Sequence, residues 1–495
     1  MKSKKKLIGP IVEVMFFIVI VSVLSFIFSM LGANGYKTEA GTFETLLIIV
    51  NNVFSKEGIK QILRTSISNF QALEPLVTVI LSLIAISIME ASGLLKQLFT
   101  PLSKLKMRYI TLMVMLVGIV STIIGDYSYA LLLPLAGILY KYIGKNSSLG
   151  VLTMFIAITI GYGTGIIYNY QMYQLGDITE LSTSGILSEY NYELLSNIYF
   201  LIISTIIIAV VGSLVINKFS KQFPRNEEKD NLTLSRKASK VTFAAFVIML
   251  VIFLYCIIPG MPHSGLLLDK TEPTYIGKLF GAESLLNKSL MFLIILMLSI
   301  CGYIYGKVSR NIKNADDFSR ALTYSFEGTG YVFALMFFAS ILYGILDWSN
   351  LATVFATNIV DFVGASKLSG LVLIITVFLS IVLISILIPS SITKWTLIAP
   401  IYVPLMMRSN ISPSFTQSVF QAADSVGKMF SPIYIYLIVA IGFMCKYGKD
   451  TNISIIGTMK KIMYIILILA ATWLVTVVLW YLLGLPIGIH TYPTV

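Results

Sequence analysis

Two apolar segments of this chain each break at polar residues near the middle and then turn back as a second apolar run. They are 109–143, interrupted at Gly125 and Asp126, and 368–408, interrupted at Pro389, Ser390 and Ser391. At 1.5 Å per residue, the arm from 109 to 124 would reach about 24 Å, which is shorter than a hydrocarbon core of about 30 Å. Each segment is therefore predicted to be a re-entrant hairpin that returns to the side from which it entered.

The composition predicts a polytopic membrane protein with the lipid bilayer as its solvent. Hydrophobic residues make up 57% of the chain, charged residues only 12%, and the mean hydropathy is +0.86. The excess of 36 Lys and Arg over 24 Asp and Glu is typical of cytoplasmic loops, so no nucleic-acid partner is predicted. The three cysteines, Cys256, Cys301 and Cys445, lie in apolar runs without metal-ligand spacing, and we predict neither a metal site nor a cofactor.

Charge bias sets the predicted topology. Nine full spans are predicted: one that ends near residue 31, then 74–95, 147–170, 195–216, 242–259, 288–306, 328–347, 413–446 with a break, and 460–484. With a cytoplasmic N-terminus and two hairpins, the inside segments hold 25 Lys and Arg and the outside segments nine, with Lys394 and Lys428 left within the membrane. We therefore expect a multi-pass protein of a bacterial cytoplasmic membrane.

The hairpins enter from opposite sides, and each precedes a helix with a predicted break. The breaks are GYGTG, with Gly161 and Gly163, and ADSVGK, with Gly427; Gly163 and Gly427 are 264 residues apart, and Asp126 and Pro389 are 263 apart. This spacing predicts an inverted repeat, typical of secondary transporters with a site at mid-membrane. The predicted divisions are a first repeat 1–216 with hairpin 109–143 and broken helix 147–170, a cytoplasmic linker 217–241, and a second repeat 242–495 with hairpin 368–408 and broken helix 413–446.

Two carboxylates fall at predicted membrane depth, where an ionised side chain needs a partner or water. Asp126 is a candidate for binding a coupling ion or proton, and the alternative is a cap on the returning helix. Asp424, close to Ser425 and Lys428, is a candidate for the same role, and the alternative is a structural ion pair.

Lys428 admits three interpretations, because a hydrated ammonium is not buried without a partner or a wet cavity. It neutralises Asp424, it anchors a cargo carboxylate, or its ammonium occupies a cation site and makes transport independent of sodium. Gln421, Asp424 and Lys428 would share one helix face if the helix continued.

The second hairpin tip offers hydroxyl groups and the amides of a helix start. Ser390 and Ser391 are candidates for contact with an anionic cargo, and ordinary turn chemistry is the alternative. Trp395 is a candidate for stacking on an aromatic cargo, and an interfacial anchor is the alternative. The glycines of GYGTG predict unwound backbone or close packing rather than a nucleotide site.

Three stretches, GDYSYALLLPLAG at 125–137, SSITKWTLIAPIYVPLMM at 390–407 and QAADSVGKMFSPIYIY at 421–436, resemble the p-aminobenzoyl-glutamate transporter (AbgT) family, which includes sulfonamide exporters. The resemblance covers nearly the whole chain and implies an all-α homodimer with nine spanning helices and two opposed hairpins per protomer. The functional positions that it implies are Asp126, Trp395, Asp424, Ser425 and Pro432. Departures from the family pattern are Gln421 for an Arg, Gly427 and Lys428 for Thr-Asn, and Ser385 for an Asn.

The resulting prediction is a secondary transporter that moves a small organic solute, similar to p-aminobenzoyl-glutamate, a folate catabolite or a sulfonamide, by alternating access. Its predicted cargo residues are Ser390, Ser391, Trp395, Gln421, Ser425 and Lys428. Protons are favoured over sodium as the coupling ion at Asp126 and Asp424, with sodium at Asp126 as the alternative. Alternatives for the function are a less acidic cargo, such as a peptide or amino acid derivative, and an intramembrane aspartyl protease. Enzyme activity is not expected, because no Gly-x-Gly-Asp or HExxH motif is present.

Overall fold

The computed structural model describes residues 8–165, 169–187, 190–193, 195–221, 223, 234–281, 283–448 and 453–495. Helices dominate these residues, and they are α1 (Pro10–Met30), α2 (Lys56–Gln71), α3 (Glu74–Ala91), α4 (Leu94–Phe99), α5 (Met107–Ser121), α6 (Tyr127–Tyr142), α7 (Ser147–Gly161), α8 (Tyr170–Thr183), α9 (Ile198–Ser220), α10 (Arg236–Ile257), α11 (Tyr275–Phe280), α12 (Leu285–Ser309), α13 (Ala315–Thr323), α14 (Gly330–Ser349), α15 (Leu351–Ala365), α16 (Gly370–Leu387), α17 (Ser391–Arg408), α18 (Pro413–Phe430), α19 (Ile435–Tyr447) and α20 (Ile455–Leu482). Three 3-10 turns, Thr100–Lys104, Thr122–Ile124 and Tyr324–Phe326, and two strands, β1 (Asn34–Thr38) and β2 (Thr45–Ile49), complete the elements.

The described helices confirm an all-α multi-pass membrane protein. Nine helical stretches are long and apolar enough to span a membrane: α1, α2 with α3, α5 with its 3-10 turn, α9, α10, α12, α14, α16 and α20. The bent pair of α18 and α19 would make a tenth. The number nine agrees with the prediction, but the members differ. An arm of each hairpin, α5 and α16, is among these nine stretches, whereas α7, predicted as part of a span, has only 15 residues.

Both predicted hairpins are helix-turn-helix units. In the first, α5 and its 3-10 turn lead to Gly125, and α6 begins at Tyr127. Gly125 has φ +61° and ψ −145°, close to a backbone region that only glycine populates readily, so the turn depends on this residue. In the second, α16 ends at Leu387 and α17 begins at Ser391, which leaves three residues for the turn.

The helix breaks lie close to where they were predicted, with one correction. Helix α7 ends at Gly161, as predicted, and Gly163 follows in the turn. The prediction of a break at Gly427 is wrong, because α18 continues to Phe430 and the chain bends by 44° at 431–434, which includes Pro432. A Cβ at Gly427 would lie 2.4 Å from the Ser385 Cβ, so this glycine permits close packing of α16 on α18.

The most deeply buried helices are those that follow the hairpins. Every residue of α7 and all but the last residue of α18 are buried, and α18 packs against α7, α16, α17 and α20. By contrast, the buried residues of α10 are only Ala238 and Thr242, so this apolar helix lies at the periphery of the molecule.

The first and last helices are joined by a buried carboxylate. Glu13 of α1 is 6% exposed and accepts a hydrogen bond of 2.9 Å from the Ser454 hydroxyl and another from the Ile455 amide, at the start of α20. A carboxylate at this position complements the positive end of the α20 dipole.

Two predicted segments between the spans have different outcomes. The sequence of the charged segment 51–70 fits an interfacial helix and a solvated loop equally well, and the structure has the helix α2 there, with Ser55 as its N-cap. The linker prediction, 217–241, lies partly outside the described residues, which omit 222 and 224–233. Strands β1 and β2 pair antiparallel, with Asn34 opposite Ile49, and were not predicted.

Candidate functional site

A cavity of about 420 Å³ lies where the two hairpin tips meet. Its walls include Asp126 of the first tip, Ser390 and Ser391 of the second, and Tyr434 and Tyr436 at the bend between α18 and α19. Further parts of the wall come from the starts of α3, α8 and α12, from the end of α11, from Tyr343 of α14 and from Lys428 of α18. The discontinuities in three apolar segments therefore line one space, as expected for a solute site built from broken helices.

Asp424 is the centre of a buried charged cluster beside this cavity. Its side chain is 2% exposed and accepts hydrogen bonds from the Ser385 hydroxyl at 2.9 Å and the Ser391 hydroxyl at 2.5 Å. Two ammonium groups pair with the same carboxylate: Lys394 contacts Oδ1, and Lys428 lies 3.3 Å from Oδ2. We call Asp424, Lys394 and Lys428 the charge cluster.

Lys394 is the partner that sequence reasoning missed. Its side chain is fully buried, and Asp424 is its polar partner within the described residues. The sequence placed Lys394 inside the membrane without a role, and a lysine at this depth is itself a signal that a carboxylate lies nearby. Lys394 and Asp424 are 30 positions apart in the sequence, so no local pattern reveals the pairing.

Lys428 is 4% exposed and borders the cavity. Besides its ion pair, it donates a hydrogen bond of 2.5 Å to the Ser391 hydroxyl, and its nitrogen lies 4.7 Å from the ring centre of Tyr162 and 5.9 Å from that of Tyr434. The predicted shared helix face exists, because α18 continues through Lys428 and the pair with Asp424 spans one turn. Of the three interpretations, the contact with Asp424 is present in the structure.

Asp126 has partners on two other elements. Tyr162, after α7, donates its hydroxyl hydrogen to Oδ1 of Asp126, and Glu74, at the start of α3, lies within hydrogen-bonding reach. The side chain of Asp126 makes no capping hydrogen bond to α6, although it occupies the N-cap position. Glu74 was not among the predicted site residues, because it is the first residue of α3 and lies 35 positions before the first hairpin in the sequence.

Aromatic rings form one wall behind the first tip. The Tyr129 ring stacks on Tyr436 with centroids 4.1 Å apart, and its hydroxyl lies 3.0 Å from that of Tyr434. Tyr434 and Tyr436 reach the cavity, so the wall presents flat apolar faces with polar hydroxyl edges.

The remaining predicted cargo residues lie behind the cavity wall. Trp395 is fully buried, stacks on Phe420 with centroids 4.4 Å apart, and donates a hydrogen bond of 2.9 Å to the Thr179 hydroxyl. Gln421 is 4% exposed, and its Oε1 has no partner in the described structure. Ser425 donates to the Ala422 carbonyl at 2.8 Å. None of these three side chains borders the cavity described above.

Within the described ranges, no group of three or more His, Cys, Asp or Glu side chains is arranged to hold a metal ion. The ionisable side chains that border the cavity are Glu74, Asp126 and Lys428, together with tyrosines. The cavity wall therefore presents two carboxyl groups, one ammonium group and tyrosine side chains.

Comparisons with known proteins identify relatives over the full length of the chain. The profile described as "AbgT putative transporter family" matches residues 2–495. The p-aminobenzoyl-glutamate transport protein of Escherichia coli (strain K12) is 24% identical over 490 residues, which are 98% of this chain and 94% of that protein. Two solved structures share the fold. One is the YdaH transporter of Alcanivorax borkumensis, with a TM-score of 0.51, 23% identity, and coverage of 97% of this chain and 100% of that one. The other is MtrF of Neisseria gonorrhoeae, described within a class of antimetabolite efflux pumps, with a TM-score of 0.50, 24% identity and 98% coverage of both chains.

Proposed function

Because this chain belongs to the AbgT putative transporter family, we propose that it is a secondary active transporter that moves a small organic solute across the cytoplasmic membrane by alternating access. The observation that supports this proposal most directly is the single cavity bordered by both hairpin tips and by the bend at 431–434. A site shared between discontinuous helices is exposed to either side when one helix group moves against the other.

Contacts on the predicted cytoplasmic side of the cavity support a site that is closed toward the cytoplasm. Glu90 of α3 pairs with Lys141 of α6 at 3.4 Å and accepts a hydrogen bond of 2.9 Å from the Ser325 hydroxyl. Lys446 of α19 donates to the Ser325 carbonyl. In the predicted topology these residues lie on the cytoplasmic side, whereas the cavity is bordered by Phe280 from a predicted external segment. The arrangement corresponds to a site open outward and closed inward.

The proposed cargo is an aromatic solute with an acidic group, such as p-aminobenzoyl-glutamate or a folate catabolite, or a sulfonamide-like compound. The rings of Tyr434 and Tyr436 would receive its aromatic part, and Lys428 with the hydroxyls of Ser390 and Ser391 would face its polar part. The names of the relatives point to the same chemistry, since one transports p-aminobenzoyl-glutamate and another is described with antimetabolite efflux pumps.

Protons are the proposed coupling ion. Asp126 and Glu74 border the cavity and can exchange protons with its water. The carboxylate of Asp424, the other predicted coupling residue, is already bound by two ammonium groups, which leaves its oxygens occupied. Sodium at that position would have to displace Lys428.

The experiment that tests the function is uptake of radiolabelled p-aminobenzoyl-glutamate by proteoliposomes under an imposed pH gradient or an imposed sodium gradient. We expect accumulation with the pH gradient and a loss of at least tenfold in Asp126→Asn. The matched control is Asp347→Asn, which neutralises an exposed aspartate of α14 outside the cavity and should leave uptake unchanged. Uptake driven only by sodium would refute proton coupling, and no uptake or exchange of any aromatic acid or sulfonamide would refute the proposed cargo.

A homodimer is also proposed. Most apolar side chains of helix α10 are exposed or only partly buried in the single chain, and such a face suits either lipid or a second copy. Light scattering of the purified protein, corrected for detergent, should give twice the mass of one chain, and a monomeric mass would refute the dimer.

A further inference from the structure

The charge cluster contains two basic groups and one acidic group. Lys394 and Lys428 both pair with Asp424, and all three side chains are at most 4% exposed. The described structure contains no second carboxylate within ion-pair distance of either lysine. If both lysines were protonated, one positive charge would lack a buried counterion, which is strongly unfavourable away from water.

The two lysines are not equally able to hold that charge. Lys428 has the Asp424 carboxylate, the Ser391 hydroxyl and the faces of two tyrosine rings around its ammonium, and it borders the cavity. Lys394 is fully buried and has one polar partner, although a protonated lysine has three hydrogens to donate. An electrically neutral charge cluster would therefore consist of an ionised Asp424, a protonated Lys428 and an uncharged Lys394.

We propose that the charge cluster binds a carboxylate group of the cargo at Lys428 and takes up one proton as that carboxylate binds. The inference rests on the proposed function, since it assigns the cargo's acidic group to one part of the same cavity. An incoming carboxylate adds a second negative charge beside Lys428. A proton from water then binds the lone pair of the Lys394 nitrogen, and the cluster with its cargo again has no net charge.

The position of Lys428 suits such a ligand. Ser391 and Ile392, the first residues of α17, border the cavity. Among the first three backbone amides of this helix, the amide of Thr393 donates to the Ser390 hydroxyl. A carboxylate between Lys428 and this helix start would meet an ammonium and the positive end of a helix dipole. Gln421, which stands where related proteins are expected to have an Arg, lies outside the cavity wall, so Lys428 supplies the cation from a different turn of α18.

Other ionisable groups face Lys428 and the cavity, and any protons that they exchange on ligand binding must be distinguished from the proton taken up by Lys394. Tyr162 and Tyr434 contact Lys428, and Glu74 and Asp126 lie across the cavity. These four groups meet an aromatic ligand whether or not it is acidic. Comparing a carboxylate with its amide therefore isolates the protons linked to the carboxylate.

The test is isothermal titration calorimetry of the purified full-length protein with p-aminobenzoate, which is ionised at pH 7.5, and p-aminobenzamide, which is uncharged. Each titration is repeated in phosphate and in Tris, whose ionisation enthalpies differ, so the difference in binding enthalpy reports the number of protons exchanged. We expect uptake of about one proton with p-aminobenzoate and about none with p-aminobenzamide. Equal proton numbers for the two ligands would overturn the proposal.

Variants assign the two roles. Lys428→Gln should weaken p-aminobenzoate binding at least tenfold and leave p-aminobenzamide binding within twofold. Lys394→Met should abolish the proton uptake that accompanies p-aminobenzoate. Lys307→Gln, which removes an exposed lysine of α12, is the control and should change neither quantity. If Lys394→Met does not fold, the two-ligand comparison on the unmodified chain still decides the question.

Failure of this inference is distinguishable from failure of the proposed function. Proton-driven uptake in proteoliposomes together with equal proton numbers for the acid and the amide would remove the role of the charge cluster and leave the transporter intact. If neither compound binds, the inference is overturned too, and the uptake experiment decides separately whether the function stands.

Discussion

Replacing Asp424 with Asn should destabilise the protein far more than removing Lys428, because the two changes leave different charges behind. Asp424→Asn keeps the shape of the side chain but leaves the protonated Lys428 without a counterion and Lys394 without its polar partner, and both lysines are buried. Breaking a buried ion pair by removing one partner costs about 3–5 kcal/mol. The hydrogen bonds from Ser385 and Ser391 also lose a charged acceptor, a loss that overlaps with the first. We expect a decrease of about 4 kcal/mol in the free energy of unfolding.

Lys428→Met leaves no unpaired buried charge. Asp424 and Lys394 can then form a neutral pair, and methionine replaces the lysine stem against the tyrosine rings. The main loss is the hydrogen bond to Ser391, about 1 kcal/mol. The double variant removes both the carboxylate and the cation that it leaves unpaired, so it should be about 2 kcal/mol more stable than Asp424→Asn alone.

Equilibrium unfolding in mixed micelles with an increasing fraction of SDS, followed by circular dichroism, measures these differences. The free energies of the two single variants and the double variant form a double-mutant cycle. Effects that add within about 0.5 kcal/mol, or a loss in Lys428→Met as large as that in Asp424→Asn, would refute the charge argument.

Three further outcomes are expected. Gly163→Ala should lower the free energy of unfolding by about 1–3 kcal/mol, since a Cβ there would lie 2.6 Å from the Ser425 hydroxyl and 2.8 Å from the Trp473 ring. The control Gly330→Ala, where a Cβ meets nothing within 4 Å, should change it by less than about 0.5 kcal/mol, and equal effects in the same SDS titration would contradict the packing argument. Trp395→Phe should cost about 1 kcal/mol through its lost bond to Thr179 and leave the Kd for p-aminobenzoate within twofold, whereas a large rise in calorimetric Kd would mean direct contact with cargo. Asp177, in α8 outside the candidate spans, has its carboxyl pKa raised to about 6 by partial burial and then by Glu180 and Glu272. The folded protein holds that proton more tightly than the unfolded chain, so the stabilisation is complete below about pH 4 and is lost as pH rises through 6. Across this pH range, the Tm of Asp177→Asn should rise relative to the Tm of the unmodified chain as the pH increases. Parallel curves of Tm against pH for the two proteins would contradict this assignment.

The hairpins and most of the breaks were predictable because their causes are local. Gly125 permits a backbone conformation that other residues avoid, and Pro389 ends an apolar run before a helix whose N-cap is Ser390. The error at Gly427 has an equally clear cause. A glycine can unwind a membrane helix or let another helix approach, and only the position of Ser385 in α16 decides between them.

Much less of the candidate site was predictable, since its contacts join distant parts of the chain. Asp424 and Lys428 were recognised as unusual because they are charged at membrane depth. Lys394 shares the same carboxylate, yet it lies on another helix, and no spacing rule links the two. Glu74 reaches Asp126 from the start of α3 for the same reason. Trp395 was assigned to the cargo from its place near a hairpin tip, but its side chain turns toward Phe420 and Thr179.

The bond between Glu13 and the start of α20 also has a consequence for the timing of biosynthesis. Ser454 follows Glu13 by 441 residues, and a ribosome that adds about 5–20 residues per second needs roughly 20–90 s to cover that distance. Throughout this interval α1 has emerged, but the partners of its carboxylate in α20 do not yet exist. A nascent chain released before residue 454 would keep in its first helix a carboxylate without the two donors that bind it in the complete fold.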